Sequence, residues 1–233
     1  MNILLTGASR GIGAATLELL TSTGHRVAGH STRGGDGLIA GDLADPSSPR
    51  KIWQEALDRL DGRIDVLINN AGIYEGVRED AADPEWHAAW ARTLTINLQA
   101  TADLCRLAVN YFRAGGGGRI VNVASRAAFR GDSPQHWHYA ASKSAIVGMT
   151  RTIARGYAAE AVLAFAVAPG FTVSDMTEEY IQGRGGVKIV ADIPLGRVTT
   201  TAEVAEAIRW LAIDAPAAST GSVIDLNGAS YVR

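Results

Sequence analysis

The sequence predicts one α/β domain, a doubly wound Rossmann-type parallel sheet of about seven strands with helices on both faces. Three observations predict it. Short apolar runs alternate with longer segments of helical periodicity from one end of the chain to the other. No composition break or fixed-period repeat divides the 233 residues, a length that suits one large domain with a buried core. The first apolar run ends in a glycine-rich turn that opens a helix, the place where such folds gather ligands.

The elements follow in order. Residues 2–5 read as a strand and 11–23 as a helix. Residues 26–30 form a second strand, and 38–40 a third after an unusually short glycine-rich link. Residues 47–60 are an amphipathic helix with Pro49 in its first turn, and 64–68 a strand. Residues 84–113 hold one or two helices, bent or broken near 93–97. Residues 119–123 are a strand, 139–158 a long helix, and 162–167 a strand closed by Pro169-Gly170. A helix over 201–212 and a strand over 222–226 complete the alternation. Gly115 to Gly118 is a loop rather than a domain boundary.

Composition narrows the function classes. Hydrophobic residues at 47% and charged residues at 20% are ordinary for a globular protein and exclude general disorder. A net charge of −2 offers no broad attraction to nucleic acid or an anionic membrane. No apolar run reaches the roughly 18 residues of a membrane span. The first residues carry no basic targeting region, so a cytoplasmic setting is expected. One cysteine, Cys105, excludes an internal disulfide, and reads as a small core residue rather than a reactive thiol. No metal site is expected, since His136 and His138 lack a third ligand nearby.

The glycine turn is Thr6-Gly7-Ala8-Ser9-Arg10-Gly11-Ile12-Gly13. Glycines let a phosphate approach the backbone, and the helix N-terminus offers free N–H groups. The alternative is a tight turn that binds nothing. The spacing G-x-x-x-G-x-G with Thr in front resembles the cofactor motif of the short-chain dehydrogenase/reductase family. Asn69-Asn70-Ala71-Gly72, Tyr139-Ala140-Ala141-Ser142-Lys143 and Pro169-Gly170 with Ser174 resemble further motifs of that family, in family order. The segment Ile193 to Arg197 is similar to one in 3-oxoacyl-thioester reductases, the 3-oxoacyl-[acyl-carrier-protein] reductase-like members.

The resemblance implies that residues 1–233 form one NAD(P)-binding domain, with a substrate loop over 171–196. It implies cofactor contacts from Gly7, Ser9, Arg10, Gly11, Ile12, Gly13, Asp42, Leu43, Asn70, Ala71, Gly72, Tyr139, Lys143, Pro169, Gly170, Thr172 and Ser174. Asp42 could instead cap the following helix. After the second strand stands His30-Ser31-Thr32-Arg33, with no carboxylate before Asp36. An acidic residue there would bond the adenosine ribose; its absence, with Arg10 and Arg33 to bracket a 2′-phosphate and Ser31 and Thr32 as donors, favours NADP(H) over NAD(H). Otherwise both arginines are solvated surface groups.

Tyr139 and Lys143 stand four apart and share a helix face. A phenol titrates near about 10, and a close ammonium is expected to lower that value. Such a tyrosine can give a proton to a carbonyl oxygen or take one from an alcohol. The resemblance assigns catalysis to Asn97, Ser125, Tyr139 and Lys143, with Asn97 completing a proton relay; its other reading is a helix cap. Ser125 precedes Tyr139 by fourteen residues, about one more than the family spacing, so the 132–137 loop is expected to bulge, with Ser133 as a second serine. Ser125, His136 and Tyr139 are the substrate candidates; His25, His30 and His87 suggest nothing. Implied overall is NADPH-dependent reduction of a ketone, with a 3-oxoacyl thioester among the substrates considered, by a homodimer or homotetramer. The alternatives are oxidation of a small alcohol or sugar, and a non-catalytic NADP sensor.

Overall fold

The computed structural model describes residues 1–172 and 190–232. β1 (Asn2–Leu5) leads into α1 (Gly11–Ser22), and β2 (Arg26–Ser31) into the two-residue β3 (Ile39–Ala40). Next come α2 (Ser48–Arg59), β4 (Val66–Asn69) and α3 (Asp83–Leu94). A π-helical turn (Thr95–Gln99) joins α3 to α4 (Ala100–Gly115). β5 (Gly118–Val123), the short α5 (Ala127–Arg130), α6 (Trp137–Tyr157) and β6 (Val162–Pro169) follow, and then α7 (Thr201–Ile213) and β7 (Val223–Leu226). Among the described residues the strands form one seven-stranded sheet in the order β3-β2-β1-β4-β5-β6-β7, and every pairing is parallel.

The strands are apolar on both faces because both faces are covered. Ile3 and Leu5 of β1 join Val66, Ile68, Val121, Phe165 and the α7 residues Val204, Ile208 and Leu211 in one layer. Leu4, between them, faces the opposite layer with Leu67, Ile120, Ile52, Leu104 and Phe112. Each fully buried side chain of this size contributes roughly 1.5–3 kcal/mol, so layer packing outweighs helix propensity in holding the elements. Among the described residues α7 alone adds a full capping box, in which Thr200 and Glu203 bond each other's backbone N–H.

Two expectations are refined. The bend near 93–97 is the π turn, so the helix is re-registered rather than broken. The link from β2 to β3, residues 32–38, contains no helix. Parallel neighbours usually need a crossover of about a dozen residues or more. Here Gly34, Gly35, Asp36 and Gly37 are all left-handed, with φ of 67°, 84°, 51° and 79°. That run reverses the chain within one short link, and three of its four positions are glycine because the region excludes most side chains. The result is a β3 paired to β2 only through His30–Ile39 and Ser31–Ala40.

Candidate active site

The strand order reverses direction between β1 and β4, and ligands of doubly wound sheets bind beyond that point. There a cleft of about 340 Å³ opens, lined by the glycine turn, by residues 30–32, 42–43 and 70–73, and by Ser125, Tyr139, Lys143, Pro169, Gly170 and Thr172. Its floor is stitched from two turns. Thr6 Oγ1 accepts hydrogen bonds from the N–H groups of Asn70 and Ala71, both at 3.1 Å. Asn70 Nδ2 donates back to the carbonyls of Thr6 and Gly7 at 3.1 and 2.9 Å. α1 begins at Gly11 with no side-chain cap, so its first N–H groups point to the cleft unspent. Bare amide donors at a positive helix end match a pyrophosphate.

The other end of the cleft carries Tyr139 and Lys143. Lys143 is buried, and its Nζ donates to the carbonyl of Val123 at 2.9 Å. The same Nζ lies 5.7 Å from the centre of the Tyr139 ring, one helical turn earlier on α6. Burial pushes the Tyr139 phenol up to about 12; a hydrogen bond from the Ser125 side chain draws it back, and Asp132 adds to the rise. Burial pulls the Lys143 ammonium down to about 8. The expectation that Lys143 acidifies Tyr139 is therefore corrected: desolvation dominates both groups, and the phenol holds its proton more tightly than in water. Beneath them Asn122 Nδ2 donates to Thr150 on α6 at 2.9 Å, and Asn69 Nδ2 to Asn122 Oδ1 at 2.9 Å, fixing α6 to β4 and β5.

Of the residues singled out from the sequence, Gly7, Ser9, Arg10, Gly11, Ile12, Gly13, Ser31, Thr32, Asp42, Leu43, Asn70, Ala71, Gly72, Ser125, Tyr139, Lys143, Pro169, Gly170 and Thr172 line the cleft together. Four others do not. Arg33 is exposed and outside the lining, because the left-handed run begins directly after it and turns the chain away. Of the two arginines only Arg10 lines the cleft, together with Ser31 and Thr32. His136 is buried, with its ring stacked on Tyr74 at 3.9 Å and its Nδ1 2.7 Å from Ser133 Oγ. Tyr74 in turn meets the Tyr139 ring edge-on at 4.8 Å. Asn97 sits behind the lining: its Oδ1 accepts from Ile73 N at 2.8 Å and its Nδ2 donates to Ile73 O at 3.0 Å. The fourth, Ser174, lies outside the described residues, as do residues 173–189 of the expected substrate loop. Asp42 Oδ1 accepts from Ala44 N, while Asp45 takes the turn before α2 by accepting from Ser47.

His30, Ile73, Arg92, Ile96, Val123 and Ala124 also line the cleft and were not anticipated. Arg92 and Ile96 carried a signal in the sequence: they stand four apart, the spacing of one helix face. Arg92 is held by Glu75 at 3.1 Å. Among the described residues no group of three or more His, Cys, Asp or Glu could hold a metal ion, and no helix is long and apolar enough to cross a membrane.

A doubly wound sheet with this cleft at its switch point defines a nucleotide-binding α/β enzyme. Residues 1–185 match the family described as short chain dehydrogenase, and the chain belongs to the short-chain dehydrogenase/reductase family of NAD(P)-binding oxidoreductases. It is 32% identical over 241 residues to the 3-oxoacyl-[acyl-carrier-protein] reductase FabG of Vibrio cholerae, spanning 98% of this chain and 96% of that one. It is 35% identical over 238 residues to nodulation protein G of Rhizobium meliloti, spanning 97% and 94%. Among solved structures, the 3-oxoacyl (acyl-carrier-protein) reductase of Agrobacterium tumefaciens with NADP bound superposes with a TM-score of 0.88 at 28% identity, covering 97% of this chain and 92% of that one. The ligand-free aldohexose dehydrogenase of Thermoplasma acidophilum gives 0.87 at 26%, covering 99% and 94%.

Proposed function

We propose that this protein is an NADP(H)-dependent carbonyl reductase that converts a ketone, with 3-oxoacyl thioesters the first class to test, into a secondary alcohol. The observation that carries the reading is the continuity of one cleft from the glycine turn to Ser125, Tyr139 and Lys143. Gly11 to Gly13 would hold the pyrophosphate on amide donors, and Asp42 and Leu43 would flank the adenine. Once bound, the dinucleotide supplies the hydride. The residues of this chain do the rest. Tyr139 gives its proton to the carbonyl oxygen, Ser125 hydrogen-bonds that oxygen, and Lys143 holds positive charge beside the phenol. Asn97, by clamping the main chain of Ile73, keeps the cleft wall next to Lys143 in place. The assay is NADPH oxidation against ketones and 3-oxoacyl thioesters; no turnover with any of them would leave the family fold without this activity. The aldohexose dehydrogenase neighbour supports a second reading, oxidation of a sugar or small alcohol by the same residues in reverse. A homodimer or homotetramer is proposed with the first reading; light scattering measures it.

Arg10 lines the same cleft as Ser31 and Thr32 and makes no ion pair among the described residues, so its guanidinium is available to a 2′-phosphate. Arg10→Ala is expected to cut the NADPH over NADH preference in kcat/KM by about 10- to 100-fold, the scale of a charged hydrogen bond. A clear NADH preference in the parent protein would refute the assignment.

The titration of Lys143 gives a pH profile. Its ammonium is depressed to about 8, so positive charge beside Tyr139 is present below that pH and lost above it. kcat/KM for the nicotinamide cofactor reports the free protein's ionisations, and is expected to fall on the alkaline side of about 8. Lys143→Arg, whose guanidinium stays charged, should abolish that limb even if its absolute rate is lower.

A further inference from the structure

We infer that His30 is the positioning residue for the adenosine half of the dinucleotide, its ring bridging the two cleft walls between which that half would lie; this rests on the cofactor reading above. His30 is the penultimate residue of β2 and is 1% exposed, yet it belongs to the cleft lining. Its Nε2 is 2.8 Å from the carbonyl of Gly41, next to Asp42 and Leu43. Its Nδ1 is 3.4 Å from the amide N of Gly7, in the glycine turn. A carbonyl only accepts and an amide N–H only donates, so both contacts together require the neutral ring with its proton on Nε2. The main-chain carbonyl of His30 adds a third tie, accepting from Ala8 N at 2.7 Å.

The bridge matters because of what the fold omits. With no helix between β2 and β3, and a β3 of two residues, little main-chain structure holds the Gly41–Leu43 wall at a fixed distance from the glycine turn. Gly41 N donates to Ser31 O at 3.1 Å, and Leu43 is buried in the core at the far end of the wall. The near end rests on His30. Gly41 fits closely there: a Cβ on it would stand 2.8 Å from Ile52 and 3.5 Å from His30 Nε2. His30 touches no reacting atom, so its effect belongs to binding rather than chemistry.

The test measures binding directly. Dissociation constants of NADPH, NADH, 2′,5′-ADP and nicotinamide mononucleotide are taken by calorimetry for the parent, His30→Ala, His30→Phe and His30→Gln. Ala and Phe are expected to weaken NADPH, NADH and 2′,5′-ADP alike by about tenfold, the scale of one or two lost hydrogen bonds. Gln, which can donate to Gly41 and accept from Gly7, should recover most of that loss. Nicotinamide mononucleotide binding should not follow, and in turnover the loss should fall in the cofactor KM rather than in kcat. If Ala and Phe bind the adenosine ligands within twofold of the parent, or if the loss is shared equally by nicotinamide mononucleotide and kcat, the inference is overturned. Should His30→Ala fail to fold, the contrast of Gln with Phe decides alone. A parent that binds none of NADPH, NADH and 2′,5′-ADP would instead overturn the cofactor reading itself, a distinct outcome.

Discussion

Replacing Tyr139 by Phe will lower kcat/KM for carbonyl reduction by about 10²- to 10⁴-fold, the contribution of a positioned proton donor. The substitution isolates the hydroxyl. A phenylalanine ring keeps the edge-on contact with Tyr74 and the place beside Lys143 Nζ, so packing is conserved. What disappears is the proton that the proposed mechanism gives to the substrate oxygen, in a cleft that Ser125 also lines. The phenol, pushed up to about 12, is fully protonated at neutral pH. That state is the one reduction needs, whereas alcohol oxidation needs the phenolate. Burial strengthens the phenol's hold on that proton, and oxidation of an alcohol, which needs it removed, should speed up as pH rises. Steady-state rates for both directions across pH 6–10, in parent and Tyr139→Phe, measure this. A variant within threefold of the parent would remove Tyr139 from the chemistry and with it the proposed mechanism.

The sequence carried the alternation that makes the sheet, because strands covered on both faces are continuous apolar runs and their helices keep a helical period. It also carried the cleft floor, because close backbone approach at Gly7 and Gly13 and left-handed backbone at Gly11 leave glycine at fixed spacing. Other features depended on three-dimensional placement. Arg33 was legible as a cation after β2, but its exclusion from the cleft follows from four consecutive left-handed residues, and one of them is Asp36 rather than glycine. His30 looked like an isolated histidine, since its partners Gly7 and Gly41 are backbone groups that no side-chain pattern advertises. The Tyr139–Lys143 spacing was legible and correct as geometry. The sign of the phenol's shift was not, because desolvation is set by everything packed around the pair, while spacing reports only the pair.

The substitution Gly13→Ala should disable the protein from the opposite end of the same cleft. A Cβ on Gly13 would stand 1.9 Å from the carbonyl oxygen of Gly7, 2.8 Å from its carbon and 2.6 Å from Asn70 Nδ2. Two of those atoms are backbone, so a rotamer change cannot relieve the clash; α1 must move away from the turn or the turn must open. Either movement pulls Gly7 from the Asn70 Nδ2 bond of 2.9 Å and spoils the amide donors at the start of α1. Overpacking of this kind costs about 1–3 kcal/mol or more, and in a chain of this size each kcal/mol lowers Tm by about 2–4 °C. The expected result is a Tm drop of roughly 2–12 °C together with loss of measurable NADPH binding. Gly72→Ala supplies the contrast. Its Cβ would meet Asn97 Oδ1 at 3.3 Å and Lys143 Nζ at 3.5 Å, both side-chain atoms able to yield, so its Tm should change less while the catalytic end of the cleft is disturbed. A Gly13→Ala protein that melts and binds NADPH like the parent would show that the turn is not the rigid cradle on which the cofactor assignment depends.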